Sequence, residues 1–150
     1  MKKILILGGF GFLGKNLNKV FENSSDYIIY NESRRTGCNI LDYQVLYNKI
    51  KSINPNIIIN SAANVGGVNY VSKNAADICS DNTQFFINIY KAINEINPKI
   101  ILINPLANCS YPGNTLDILE ESNWWNGEVH ESVQSYGSTK KNWICFIRML

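Results

Sequence analysis

The 150-residue chain is long enough for one domain with a real core, and its 45% hydrophobic and 17% charged residues are those of a globular protein. A formal net charge of +2, with no Lys/Arg block, gives no ground for nucleic acid or an acidic membrane surface as partner. The cysteines (Cys38, Cys79, Cys109, Cys145) form no CxxC pair and there is one histidine, His130, so no metal site is expected; reduced thiols in a cytoplasmic protein are.

Asparagine is unusually common, with 22 copies, which together with abundant Ile and Lys fits an AT-rich genome. Lys2-Lys3 followed by an apolar run from Ile4 superficially resembles a secretory signal. Glycines at 8, 9, 11 and 14 break that run, and no small-residue cleavage site follows. No segment approaches the ~20 apolar residues needed to cross a bilayer.

In chain order, Ile4 to Leu7 is a continuous apolar run ended by Gly8-Gly9, as expected of a strand buried on both faces. Leu13, Leu17, Val20 and Phe21 then recur on one face of a helix. Asn23 to Asp26 is a turn cluster, and Tyr27 to Tyr30 reads as a second strand. Asp42 is placed to cap a helix with the apolar stripe Leu46, Ile50 and Ile53, stopped at Asn54-Pro55. Ile57 to Ile59 is a third strand. Asp81 or Asn82 is expected to open the helix carrying Phe85, Ile89, Ala92, Ile93 and Ile96, and Ile100 to Ile103 is a fourth strand. Strands alternating with helices imply right-handed crossovers and an α/β fold, a doubly wound parallel sheet of the Rossmann type.

Between the first strand and first helix lies Gly8-Gly9-Phe10-Gly11-Phe12-Leu13-Gly14, with GxxGxxG at 8, 11 and 14. Glycine lets the backbone turn tightly and lets a pyrophosphate approach without a Cβ in the way. The unpaired N–H groups at the helix start, those of Phe12, Leu13 and Gly14, then face the phosphates. Glu32, 18 positions past Gly14, is placed to bind the ribose hydroxyls of NAD. Ser33-Arg34-Arg35 follows at once and suits a 2′-phosphate, which tips the expectation toward NADP, with NAD as the alternative.

Tyr136 and Lys140 stand four residues apart and so share one helix face. A phenol with a pKa near ~10 is a poor acid/base at neutral pH, and a nearby ammonium favours the phenolate. Such a tyrosine can exchange a proton with a sugar hydroxyl or ketone, while the lysine also holds the nicotinamide ribose.

GxxGxxG followed by YxxxK resembles the extended short-chain dehydrogenase/reductases, the NAD-dependent epimerase/dehydratase family. Asn60-Ser61-Ala62-Ala63-Asn64-Val65-Gly66-Gly67-Val68 resembles the Ala-Ala-Lys-Val-Gly-Gly-Ile segment of GDP-L-fucose synthases. Asn108-Cys109-Ser110-Tyr111-Pro112 resembles their Ser-Cys-Ile-Tyr-Pro segment. The likeness runs from residue 3 to about 141. It implies an epimerase/reductase acting on a GDP-linked 4-keto-6-deoxy sugar, an oxidoreductase and isomerase in one. Tyr136 and Lys140 would serve the reduction and Cys109 the epimerisation; Ala62, Ala63 and Asp42 would join the cofactor site. The alternative for Cys109 is a small buried residue after a strand.

Ala107 stands where those enzymes carry a catalytic serine, with Ser110 or Asn108 as candidate substitutes. His130 precedes Tyr136 and so does not match their second acid/base, which follows the YxxxK helix. The polar loop holding Trp124 and Trp125 is read either as aromatics pinning a loop or as a wall of the sugar-nucleotide site.

Trp143, Phe146, Ile147 and Leu150 continue an apolar stripe to the last residue. Residues 1–150 are therefore expected to be the N-terminal, cofactor-binding part of such an enzyme without its substrate domain. Exposed apolar surface would favour a homodimer or association with a separate second half. Two other readings stay open: a non-catalytic dinucleotide-binding remnant or subunit, and an NAD-dependent nucleotide-sugar 4-epimerase or dehydratase.

Overall fold

A computed structural model describes residues 1–114 and 118–147, with side chains up to residue 144. In order it contains β1 (Lys2–Leu7), α1 (Phe12–Phe21), β2 (Tyr27–Glu32), α2 (Tyr43–Ile53), β3 (Ile57–Asn60), α3 (Val68–Lys73), α4 (Ala75–Ile96), β4 (Ile101–Ile103) and α5 (Gln134–Ile147). Two compact units are formed. The first comprises Met1–Ala63 with Gln84–Pro105, the second Asn64–Thr83 with the chain from Leu106 onward.

The first unit is built on a parallel sheet of order β2-β1-β3-β4. Side chains alternate across it, as the two-residue strand period requires. Leu5, Leu7 and Ile58 point to one face, where Leu46, Ile50 and Ile53 of α2 and Ile89, Ala92 and Ile93 of α4 cover them. Ile4, Ile6 and Ile59 point to the other, against Leu17 and Phe21 of α1. Both faces of β1 are thus dry, which is why its sequence is an unbroken apolar run and why the sheet is doubly wound. Each fully buried Leu or Ile contributes roughly 1.5–3 kcal/mol relative to its exposed state.

Several local details differ from expectation. In α1 the inward face is Gly14, Leu17 and Phe21, leaving Val20 exposed and Leu13 partly so, because a buried glycine lets the helix close on the sheet at its first turn. Asp42 does cap α2, accepting from the Val45 N–H at 3.1 Å, and α2 ends at Asn54, whose left-handed φ of 48° returns its N–H to Ile50 O before Pro55. The helix expected to open at Asp81 or Asn82 begins instead at Ala75. Asn82 is fully buried within it: its amide donates to Ile78 O and Asn64 O, and its Oδ1 accepts from Asn64 N. A residue type that usually caps is used here to anchor the Asn64 backbone.

In the second unit α3 packs on the turn at Glu131–Val133 and on α5. Of the expected terminal stripe, Trp143 is buried; the side chains of Phe146 and Ile147, and Leu150, lie outside the described residues. Among the described residues no helix is long and apolar enough to cross a membrane, and no His/Cys/Asp/Glu group could hold a metal ion.

Candidate active site

The chain passes from β1 to β2 on one side and then returns to place β3 on the other side of β1. That reversal leaves a crevice beyond the carboxyl ends of β1 and β3, where open α/β sheets bind their ligands. A cleft of about 240 Å³ lies there, lined by Gly8, Gly11, Arg34, Ala62, Ala63 and Phe85 among others. Gly8 has φ +78°, and a Cβ on it would stand 2.8 Å from Ala62 N, so no other residue lets the loop pass this close to the segment that follows β3. Gly11 starts α1 with no side-chain cap, leaving the first-turn N–H groups of Phe12, Leu13 and Gly14 to an outside acceptor. Phe12 and Leu13 are themselves exposed, so what they offer is main chain. These features fit a dinucleotide diphosphate: an uncapped helix start, a backbone cradle that a side chain would fill, and a cation at the rim.

The second unit gathers the other expected residues. The turn Asn108–Ser110 docks on the start of α5 at Gly137, where a Cβ would lie 2.6 Å from Cys109 O and from a Val129 methyl. This close approach brings Cys109 near Tyr136 and Lys140, and Cys109 influences the protons of both. Burial raises the Cys109 thiol, with its own backbone and Lys140 pulling it down. Burial raises the Tyr136 phenol too, and Cys109 adds to that. Lys140, 4% exposed, is lowered to about 7 by burial, with Cys109 opposing. The expectation that Lys140 makes the phenol acidic is therefore corrected. Its ammonium lies 5.6 Å from the centre of the Tyr136 ring and 3.5 Å from that of Trp143, and its charge acts on Cys109 rather than on the phenol.

Residues 4–143 match the NAD dependent epimerase/dehydratase family. The chain belongs to that family. It is 25% identical over 141 residues to the GDP-L-fucose synthase of Dictyostelium discoideum, covering 93% of this chain and 44% of that protein. Among solved structures it is similar to a GDP-L-fucose synthetase of Naegleria fowleri bound to NADP, with a TM-score of 0.85 and 19% identity over 99% of this chain and 44% of that one. It is also similar to a GDP-mannoheptose C4 reductase of Campylobacter jejuni with NADP bound, with a TM-score of 0.87 and 19% identity over 97% and 42%. The chain thus spans less than half the length of these relatives.

At the rim of the cleft the acid at the end of β2 is turned toward partners within the protein. Glu32 is held by Lys49 at 3.1 Å and by the Thr36 hydroxyl at 2.6 Å, so its carboxylate is engaged within the protein. A capping box between Ser33 and Thr36 folds the turn Arg34–Thr36 and sets Arg34 on the cleft; Arg35, on the same turn, is exposed and is not among the lining residues. Asp42, occupied as a helix cap, is not among them either. Ser33, expected beside the two arginines, does line the cleft, whereas Cys38 and Asn39 line it and were missed from sequence; the Ser33-x-x-Thr36 spacing was the signal that could have found this turn.

The second unit also holds a pocket of about 450 Å³, walled by Ala107, Asn108, Tyr111, Glu121, Trp124 and Trp125 in particular. Trp124 is buried edge-on against Tyr111, with ring centres 4.7 Å apart, and its indole N–H has no partner among the described residues. Trp124 thus pins the loop, and both tryptophans line the pocket. Lys141 fastens that loop to α5 by donating to Gly127 O at 2.8 Å. Of the two candidates to replace the serine expected at Ala107, Asn108 lines the pocket, whereas Ser110 is fully buried with its hydroxyl unpartnered. His130 caps the turn at Glu131–Val133, its Nδ1 accepting from the Ser132 N–H.

Proposed function

We propose that this chain is the cofactor-binding part of an NADP-dependent nucleotide-sugar epimerase/reductase whose substrate is a GDP-linked 4-keto-6-deoxy sugar. The observation that carries the reading is the grouping of half-buried Cys109 and Tyr136 with the buried Lys140 around Gly137. A dinucleotide cleft alone would serve any member of the family. A thiol beside the Tyr/Lys pair adds a second proton-transfer group, which epimerisation next to a ketone requires.

NADPH, when bound, supplies the hydride that reduces the ketone. The Tyr136 phenol, kept protonated by burial, gives its proton to the ketone oxygen. The Cys109 thiol, likewise held in its protonated form, would give its proton to the carbon beside the ketone once a base that the described residues do not supply has removed the proton that carbon carried. The resulting thiolate would regain a proton from solvent before the next turnover. Lys140 orients the nicotinamide ribose. Arg34 takes the 2′-phosphate and the engagement of Glu32 removes the acid that would favour NAD, which supports NADP over NAD. The aromatic pocket supports a sugar ring stacked on indole, with the free Trp124 N–H as donor.

A second reading is favoured by one residue: Ala107 provides no hydroxyl for a sugar oxygen, and loss of one such donor typically costs on the order of 10²–10³ in rate. On that reading the chain binds the dinucleotide and turns nothing over. Calorimetric titration with NADPH, NADH and GDP-sugars separates the two. Binding of both cofactor and GDP-sugar, with turnover lost in Tyr136→Phe at unchanged cofactor affinity, is the result expected here. Cofactor binding with no sugar binding supports the second reading, and absence of cofactor binding removes both.

A further inference from the structure

Tyr136, Lys140 and Trp143 recur at i, i+4 and i+7 and so form one stripe of α5. Lys140 and Trp143 are both buried, at 4% and 1% exposure. Two other lysines show how such a side chain is usually satisfied: Lys141 donates to a carbonyl oxygen and Lys49 pairs with a carboxylate. Lys140 takes part in neither of the salt bridges formed among the described residues. Its titratable neighbours are Cys109, from the turn Asn108–Ser110, and Tyr136, one turn earlier on its own helix. Burial holds both in their neutral forms, so neither offers it an anion. What it meets is the indole of Trp143, with Nζ 3.5 Å from the ring centre, while the Tyr136 ring is 5.6 Å away.

We propose that Trp143 is the positioning residue for Lys140: its indole face holds the ammonium beside Tyr136 and Cys109 until oxygen atoms of a bound nicotinamide nucleotide take it over. A largely buried ammonium on a four-carbon stem has many rotamers, and among the described residues no oxygen accepts from it. An indole face, negative at its centre, is the strongest aromatic attractor for it. The indole is fixed by its own burial, so it defines where the lysine waits. The hand-over to a nucleotide rests on the function proposed above; the holding of Lys140 by Trp143 does not.

Nuclear magnetic resonance of the chain labelled with ¹³C-lysine tests this, because protons above an indole face are shifted upfield by the ring current. The Lys140 ε-methylene signal, assigned by its loss in Lys140→Arg, should lie upfield of every other lysine. Trp143→Phe should keep a reduced upfield shift, since a smaller face remains, and Trp143→Leu should return the signal to the others. Should Trp143→Leu fail to fold, Trp143→Phe decides. An unshifted Lys140 in the native chain, or a shift unchanged by substitution of Trp143, overturns the proposal. Adding NADP⁺ should move the Lys140 signal away from its indole-shifted position. If the glycine-loop amides respond to NADP⁺ and Lys140 does not, the hand-over is wrong. If nothing responds, the proposed function fails, while the comparison of variants still judges Trp143.

Discussion

Replacing Lys140 with methionine removes a buried ammonium while keeping most of the side-chain volume, and the structure sets the sign and size of the result. The unfolded chain keeps this lysine protonated up to about 10.5; in the fold, burial lowers that to about 7. Between those values the unfolded state binds more protons, so native stability rises with pH across that window. Below about 7 the fold bears the whole cost, up to about 5 kcal/mol at ~1.4 kcal/mol per pH unit. Contact with the Trp143 face returns about 2 kcal/mol when desolvated, leaving on the order of 3 kcal/mol. Lys140→Met is therefore expected to be more stable than the native chain below pH 7 by about that amount, with the gap closing toward pH 10.5. Urea denaturation of both proteins at several pH values measures it. Taking the difference largely cancels Cys109 and Tyr136, whose raised values act in the opposite sense, withdrawing stability as pH rises through the alkaline range. A variant that is less stable below pH 7, or a gap that does not narrow with pH, would refute the placement of a charged lysine in this interior. The expected gain at the cost of a functional group is the stability–activity trade-off common at active sites.

Three further outcomes follow from particular contacts. Gly8→Ala places a methyl against the Ala62 backbone at a φ of +78°, and should cost about 1–3 kcal/mol in thermal or urea denaturation together with loss of NADP binding; unchanged cofactor affinity would show that the loop is not the cradle. Arg34→Ala should lower the preference for NADP over NAD by roughly 10–100-fold, the equivalent of one charge-assisted hydrogen bond, as read by calorimetry with both nucleotides; an unaltered ratio would move the 2′-phosphate elsewhere. β4 is an outer strand of the sheet with Ile101 and Ile103 exposed at 58% and 47%, so Ile101→Lys with Ile103→Lys should reduce self-association in light scattering at high protein concentration. Equal apparent mass for native and variant chains would show that this face is not adhesive.

The order of elements was legible because it rests on patterns that near neighbours write by themselves. Apolar runs such as Ile4–Leu7 and Ile57–Ile59 and the stop at Asn54-Pro55 fixed a parallel α/β sheet without reference to any distant residue. The glycine loop was legible for the same reason, since its geometry is set within one turn of backbone. The start of α4 was not: Asn82 looks like a helix cap locally, and only its hydrogen bonds to Asn64 show why the helix runs through it.

What the sequence determined was which groups are present and which lie on a common strand or helix face, because periods of two and 3.6 residues follow from backbone geometry. What tertiary packing alone decided was which partner each group meets. Glu32 was free to bind a ribose until folding brought Lys49 to it and the Ser33–Thr36 turn supplied the Thr36 hydroxyl. Lys140 was spaced to serve the Tyr136 phenol, yet burial stripped its water, left Cys109 and Tyr136 neutral, and turned its ammonium to an indole. Charge and spacing are written along the chain, whereas desolvation depends on everything folded around a residue, and in this protein it is desolvation that sets the protons of the site.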